Sequence, residues 1–200
     1  MAIYYYKGNP IVTPFSIDSN EPAFDITSVS LKTQRSSQGH QRWELTFTVQ
    51  PDMDSPQDLL IDMIDEIGSS STMIMPQFKK VDERITATGT IQPSTQYNAG
   101  ASSIVLNSSS ASGLLPKGAF IKFSGHDKMY IVLSDVDLTA GTANLDIYPK
   151  LRSQIDTVDT VGYGSASVFS YYRNIDSITG LTFSDGLLAN PGTITLVEAL

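Results

Sequence analysis

The sequence predicts a mainly β protein with one short helix. Three observations predict this class: most apolar residues alternate with polar ones, turn residues separate the alternating runs, and one segment has helical spacing. The chain has 200 residues and no cysteine. It is long enough to bury a sizeable core, but it has no disulfide or thiolate metal site. Apolar burial and hydrogen-bonded sheet must therefore stabilise the fold.

The helix is predicted from Ser55 to Gly68. Ser55 is a suitable N-cap, Pro56 fits the first helical position, and Gly68 fits the stop. We expect an apolar face to be buried and an acidic face to be exposed. The apolar face is Leu59, Leu60, Met63, Ile64 and Ile67, and the acidic face is Asp58, Asp62, Asp65 and Glu66.

Before the helix, the sequence predicts two strands and a hairpin. One strand covers 24–31, with a β-bulge near Thr27 and Ser28, and the other covers 43–49. The polar segment Arg35–Gln41 is predicted to be the hairpin loop between them. A short strand is expected after the helix, at Thr72–Met75.

From Ile85 onward, short strands recur with Gly, Ser, Asn and Asp in the gaps. This pattern favours a small closed barrel of the OB type, with a small open sandwich as the alternative. The serine-rich stretch 108–113 is interpreted as a loop inside this barrel rather than a linker. The predicted strands are Ile85–Gln92, Ser102–Asn107, Ala119–Ser124, Lys128–Ser134 and Ala143–Tyr148, with Ile121, Phe123, Met129, Ile131 and Leu133 facing the core and Pro149 ending the last strand.

Strand-like runs return near the end of the chain, at 167–172, 178–183 and 193–197. The last run is rich in β-branched residues, and we expect it to pair with a strand of the first segment. This predicts an outer β domain made from 1–84 and 166–200, with the barrel, 85–165, inserted into it.

Charge and hydropathy exclude several functions. The net charge is -8, which opposes binding to the nucleic-acid backbone by clustered Lys and Arg. No window has the roughly 20 apolar residues of a membrane span, and the first ten residues do not resemble a secretory signal. We therefore expect no specific nucleic-acid binding and no membrane insertion.

The sequence indicates no catalytic, cofactor or metal site, and we expect the protein not to be an enzyme. His126 is interpreted as a turn histidine that hydrogen-bonds to backbone, and His40 lies in the predicted loop. The paired acids are interpreted as solvated turn residues, because none belongs to an EF-hand pattern. These pairs are Asp52 with Asp54, Asp135 with Asp137, and Asp156 with Asp159.

Two tyrosine clusters have two open interpretations. Tyr4–Tyr6 and Tyr171–Tyr172 either pack the sheet or form a subunit or sugar contact, because tyrosine combines a large flat body with a polar tip.

The barrel segment contains a recognisable pattern. Gly118–Tyr130 has the form G-x-hydrophobic-I-x-F-x-x-H-x-K-x-Y, and Leu145–Arg152 has the form L-x-I-x-P-x-L-R. Together they resemble the distal tail protein family of long-tailed bacteriophages. That resemblance implies a tail-tube-like β-sandwich with an inserted OB-like barrel. It covers about 113–152 and extends to the outer segments only through their order of strands, hairpin and helix.

The resemblance also implies a function. Members of this family form a ring, usually a hexamer, that caps the tail tube at the end nearest the host. By this resemblance the chain is a virion tail protein, assembled in the host cytoplasm, whose partners are the tail tube protein and the tip, fibre or hub proteins. The same resemblance implies contact with a neighbouring ring or the tube through the predicted loop, at Arg35, Gln38, His40 and Gln41, although a loop without a role is the alternative.

Two other functions remain open from the sequence. One is a carbohydrate-binding tail module whose barrel face holds host saccharides. The other is an enzyme that degrades a cell-wall or capsular polymer, which has the least support because no acid and base pair can be nominated.

Overall fold

A computed structural model describes residues 4–27, 33–37, 40–50, 56–174, 182–184, 188–190 and 192–200. Over these residues the predicted mainly β class is confirmed, and one helix is longer than a single turn. The strands are β1 (Tyr5–Tyr6), β2 (Asn9–Asn20), β3 (Ala23–Thr27), β4 (Thr33–Ser37), β5 (Arg42–Val49), β6 (Ser71–Ile74), β7 (Thr88–Gly89), β8 (Gln92–Pro93), β9 (Ser103–Asn107), β10 (Ala111–Ser112), β11 (Leu114–Leu115), β12 (Phe120–Phe123), β13 (Met129–Val132), β14 (Val136–Asp137), β15 (Thr142–Tyr148), β16 (Val161–Tyr163), β17 (Val168–Arg173), β18 (Thr182–Ser184), β19 (Leu188–Asn190) and β20 (Ile194–Glu198). The helices are α1 (Pro56–Asp65), the single turn α2 (Lys79–Asp82) and a 3-10 turn at Gly164–Ala166.

The chain forms two compact units. The barrel unit contains the described residues up to 6, together with 71–170 and 199–200, and the sheet unit contains those of 7–70 and 171–198. The predicted domain division, 1–84 with 166–200 and 85–165, stays a prediction, because compactness does not test independent folding.

The barrel unit is built around one sheet with the strand order β16-β12-β13-β15-β9-β8. The two edges of this sheet approach each other, since the Val161 N–H donates to the Ile91 carbonyl at 2.9 Å, next to β8. The barrel is thus nearly closed. Its core is apolar and consists of Ala87, Ile91, Ile104, Leu106, Leu115, Ala119, Ile121, Phe123, Tyr130, Val132, Val136, Leu138, Leu145, Ile147, Leu151, Ile155 and Val161.

Four of the five predicted barrel strands are confirmed, as β9, β12, β13 and β15. Pro149 follows the last residue of β15, as expected for a residue that cannot donate a ladder hydrogen bond. The serine-rich stretch 108–113 lies within the barrel unit, as expected for a part of the barrel rather than a linker, but Ala111 and Ser112 form β10, which pairs with β7.

The predicted strand Ile85–Gln92 is wrong, because the structure has only the two-residue strands β7 and β8 there. Gly89 ends β7 with φ +86°, and a Cβ on it would overlap the Ser110 carbonyl. A chain that turns at this glycine cannot continue as one straight strand.

The predicted inward side of β13 is wrong for Ile131 and Leu133, although the third predicted residue, Met129, is buried at 0% exposure. Tyr130 and Val132 point into the core, whereas Leu133 is 46% exposed. The register explains the difference, because Ile121 of β12 lies opposite Tyr130. Cross-strand partners face the same side of a sheet, so an inward Ile121 requires an inward Tyr130.

In the sheet unit, β2, β5, β20 and β17 lie side by side in that order. The predicted pairing of the last strand with the first segment is confirmed, since Ile194 of β20 lies opposite Phe47 of β5. The sequence analysis did not predict β2. Its pairing with β5 shifts register between Val12 and Ser16, where Pro14 lies.

The predicted hairpin before the helix differs from the observed one. β2 pairs with β5, and β3 pairs with β4 from Ala23–Ser37 to Thr27–Thr33. The predicted loop at Arg35–Gln41 is therefore wrong, because β4 occupies 33–37. Ser28, in the predicted bulge, lies outside the described residues. In the predicted strand-like run 178–183, the structure describes only residues 182 and 183, and both belong to β18.

Candidate functional site

The four residues predicted to contact a neighbour lie in different settings. Arg35 belongs to β4, where its backbone lies opposite Asp25. Gln38 lies outside the described residues. His40 is exposed, whereas Gln41 is 5% exposed and its Nε2 donates to Ser19 Oγ at 3.0 Å. Their role as contacts stays a prediction.

Helix α1 begins at Pro56, which confirms the predicted start, and Gly68 has the expected positive φ of 82°. The predicted faces are partly wrong. Leu59 and Met63 are buried, but so is the acidic Glu66, at 3% exposure. The buried face thus carries a carboxylate that the sequence analysis placed on the exposed side.

Glu66 is buried because the sheet unit supplies its partners. The Tyr171 hydroxyl donates to Glu66 Oε1 at 2.6 Å, and Lys7 Nζ lies 3.1 Å from the same oxygen. Hydrogen bonds to an ionised group and a neighbouring cation offset the cost of removing a carboxylate from water. These contacts fix the rotation of α1 on the sheet.

Arg173 contacts the C-terminal end of α1. Its Nη1 donates to the Met63 carbonyl at 2.9 Å, and this carbonyl belongs to the last turn of α1. A cation at a helix C-terminus compensates the partial negative charge of the free carbonyls. Arg173 is 8% exposed, and its Nε and Nη2 have no hydrogen-bond partner among the residues that the structure describes.

This rotation leaves isoleucines on the surface. Ile61, Ile64 and Ile67 are 61%, 57% and 50% exposed. We call these three residues, together with the exposed Asp58 and Asp65, the isoleucine face. Three large exposed apolar side chains around one short helix are typical of a contact surface.

The barrel unit contains a cleft of about 450 Å³ lined by Lys122, Ser124, His126, Asp127 and Thr160 among others. Lys122 Nζ donates to Ser170 Oγ at 3.0 Å and lies 3.8 Å from Asp127 Oδ1. The cleft thus presents a cation, a carboxylate and hydroxyls at close range, which are groups that hydrogen-bond to a polar ligand.

His126 lines this cleft, and both of its ring nitrogens contact other residues of the barrel unit. Its Nε2 lies 3.1 Å from the Gln154 carbonyl and 3.2 Å from Ser153 Oγ, and its Nδ1 lies 3.3 Å from Tyr130 Oη. The contact with the Gln154 backbone confirms the interpretation as a turn histidine. None of these partners is a carboxylate, so His126 and Ser153 do not form a Ser-His-Asp arrangement.

The described acid pairs lie beside turns or at strand ends, and Asp137 is the last residue of β14. The Lys117 backbone N–H, and then Arg84, lower the pKa of Asp135, and the Thr139 hydroxyl and N–H lower the pKa of Asp137. Asp159 Oδ2 accepts from the Asp156 N–H at 2.7 Å. Asp52 and Asp54 lie outside the described residues.

In each tyrosine cluster, one tyrosine is buried and its neighbour in the chain is exposed. Tyr6 and Tyr171 are buried, whereas Tyr5 and Tyr172 are 55% and 50% exposed. The buried members support the packing interpretation, and the exposed members leave the contact interpretation open.

In the part of the chain that the structure describes, no group of three or more His, Cys, Asp or Glu residues could hold a metal ion. No helix among the described residues is long and apolar enough to cross a membrane.

The polar contacts beneath α1 and the Lys122 pair were not predicted from the sequence. Glu66 lies at helical spacing from Leu59 and Met63, which could have placed it on the buried face. Arg173 follows two tyrosines in a strand and carries no local signal of its burial.

The chain was also compared with known proteins. No protein-family model matches it, and no curated protein matches it.

Proposed function

We propose that this chain is a structural protein of a phage virion, a distal tail or baseplate adaptor. It forms a ring that joins the tail tube to the host-recognition apparatus. The observation that carries this proposal is the isoleucine face of α1. A ring needs a large contact between copies, and exposed isoleucines on a fixed helix supply apolar area for it.

The residues of the family-like pattern support a structural role. Tyr130 Oη contacts both His126 Nδ1, at 3.3 Å, and the Arg152 N–H, at 3.2 Å. The pattern residues His126, Tyr130 and Arg152 therefore meet at one point of the barrel. Contacts that join distant parts of a barrel explain such a pattern without any catalytic role.

The net charge is compatible with this role. With a net charge of -8, the chain repels DNA that passes through a tail, because both carry negative charge and phosphate binding requires clustered cations.

Sedimentation velocity and negative-stain imaging of the purified chain test the proposal. We expect a discrete closed oligomer, a hexamer by the family resemblance, with a central opening. A chain that stays monomeric at the highest soluble concentration would contradict the proposal.

A second candidate function is binding of a host saccharide in the barrel cleft. Lys122, Asp127 and Ser124, which line the cleft, favour it, because ammonium, carboxylate and hydroxyl groups all hydrogen-bond to sugar hydroxyls. A glycan array followed by calorimetry tests it. We expect Lys122→Met to remove binding and Lys150→Met, at an exposed lysine, to preserve it; no binding by the wild-type chain rejects this candidate.

A further inference from the structure

The isoleucine face is acidic as well as apolar. Asp58, Ile61 and Asp65 recur at helical spacing on the side of α1 opposite Leu59 and Met63. The last turn of the helix contains no basic residue. A surface that covers this face must therefore combine apolar area with positive charge.

The barrel unit contains a surface with this composition. Phe78 is 47% exposed, and its ring lies 6.1 Å from the Phe120 ring, which supports it from one side. Lys79 and Lys80 follow directly and are exposed. We call Phe78–Lys80 the basic segment.

The ion pair that Lys79 forms does not prevent this lysine from binding a carboxylate of another copy. Lys79 Nζ lies 3.8 Å from Glu83 Oε1, and the two side chains are 69% and 62% exposed. An exposed pair at this distance contributes little, so Lys79 can exchange Glu83 for another carboxylate at small cost.

We propose that the isoleucine face of one copy packs against the basic segment of the next copy. The inference rests on the proposed ring and names its contact. Phe78 lies against Ile61 and Ile64, while Lys79 and Lys80 approach Asp58 and Asp65. Such a contact joins two different surfaces, and heterologous contacts of this kind generate rings when the rotation closes.

Charge decides between this contact and a symmetric one. Two isoleucine faces packed together would bring four carboxylates into one interface, because each carries Asp58 and Asp65. Like charges at an interface oppose association. The heterologous contact instead places two lysines opposite two aspartates.

Charge reversal on each side tests the contact. The variants D58K/D65K and K79E/K80E each place like charges together, and we expect about tenfold weaker association in sedimentation velocity. The control K117E/K150E makes the same charge change as K79E/K80E, at two exposed lysines of the barrel unit outside the basic segment, and it should associate as the wild type does.

Two further samples should associate again, and this makes the test specific for the proposed contact. We expect the variant with all four substitutions to associate as the wild type does, because the charges are exchanged rather than removed. We also expect a one-to-one mixture of D58K/D65K and K79E/K80E to associate, with the two variants alternating. Recovery in these samples also excludes misfolding as the cause of the weaker association.

The outcomes separate this contact from the proposed function. Wild-type association that neither double variant weakens rejects the contact and leaves the ring proposal standing. Weakened association that neither the fourfold variant nor the mixture restores also rejects the contact. A wild-type chain that never associates rejects both.

Discussion

The two units bury different kinds of side chain. The barrel core consists of apolar residues, and its tyrosine hydroxyl is satisfied by His126 and the Arg152 backbone. Among the described residues, the sheet unit buries three charged side chains, namely Glu66, Arg173 and Glu198. Over its own described residues, the barrel unit buries one charged side chain, Lys128, together with His126 and polar residues such as Gln77 and Ser170.

This difference shows how each unit specifies its structure. The barrel relies on close packing around a nearly closed sheet, so the loss of volume should damage it most. The sheet unit uses charged and polar contacts to set the rotation of α1, so the loss of one hydrogen-bond partner should damage it most. That rotation is what presents the isoleucine face.

The largest expected effect is a cavity in the barrel. Phe123 is 0% exposed within the core, and Phe123→Ala should lower the free energy of unfolding by about 3–5 kcal/mol. Denaturant unfolding measures the loss. Leu133→Ala, at a residue that is 46% exposed, is the control and should cost far less. Equal losses would contradict the burial assigned to Phe123 and the exposure assigned to Leu133.

The next effect tests a close backbone approach in the same unit. Gly113 has φ +93°, and a Cβ on it would overlap the Thr86 carbonyl, so Gly113→Ala should cost about 2–4 kcal/mol. Gly141 has φ +78°, and a Cβ on it would meet no described atom within 4 Å. Gly141→Ala therefore carries the backbone cost of positive φ alone, and a smaller loss in thermal unfolding is expected. An equal loss would mean that the approach to Thr86 is not tight.

The matching test in the sheet unit removes one hydroxyl. Tyr171→Phe leaves buried Glu66 without its 2.6 Å donor, and the unfolding free energy should fall by about 1.5–3 kcal/mol. The control is Tyr172→Phe, at the next residue of the strand, which is 50% exposed. Similar losses for both variants would show that the Glu66 contact does not stabilise α1.

The smallest effect concerns an exposed turn of the barrel unit. The pKa of Asp135 lies below its ordinary value of 3.8, first because of the Lys117 N–H and then because of Arg84. A lowered pKa contributes stability above the ordinary value, and this contribution is lost as the pH falls through the lowered pKa. Asp135→Asn should therefore lower Tm slightly at pH 7. The difference from the wild type should vanish in strong acid, and a difference that persists there would contradict the assignment.

Local patterns predicted much of the fold. The strands β9, β12, β13 and β15 and the start of α1 follow from alternation, turn residues and a proline at the first helical position. Each of these signals depends on a few neighbouring residues, so it can be recognised in a single sequence.

The failures have tertiary causes. Pro10 and Pro14 concealed β2, because proline is accepted in a strand only at special places such as the register shift found there. The inward side of β13 depends on the Ile121–Tyr130 register, which alternation alone does not fix. The burial of Glu66 depends on Tyr171, more than a hundred residues away. The spacing of Glu66 from Leu59 and Met63 was a local signal for this burial, but the partners that stabilise a buried carboxylate lie elsewhere in the chain.

The position of the chain in an assembled tail tests the central claim most directly. A short epitope tag inserted after Gly141, at an exposed turn of the barrel unit, allows antibody labelling in electron micrographs of the phage that encodes this chain. The account predicts label in a ring at the end of the tail tube, next to the host-recognition apparatus. Label on the head or along the tube, or a tagged virion without label, would contradict it.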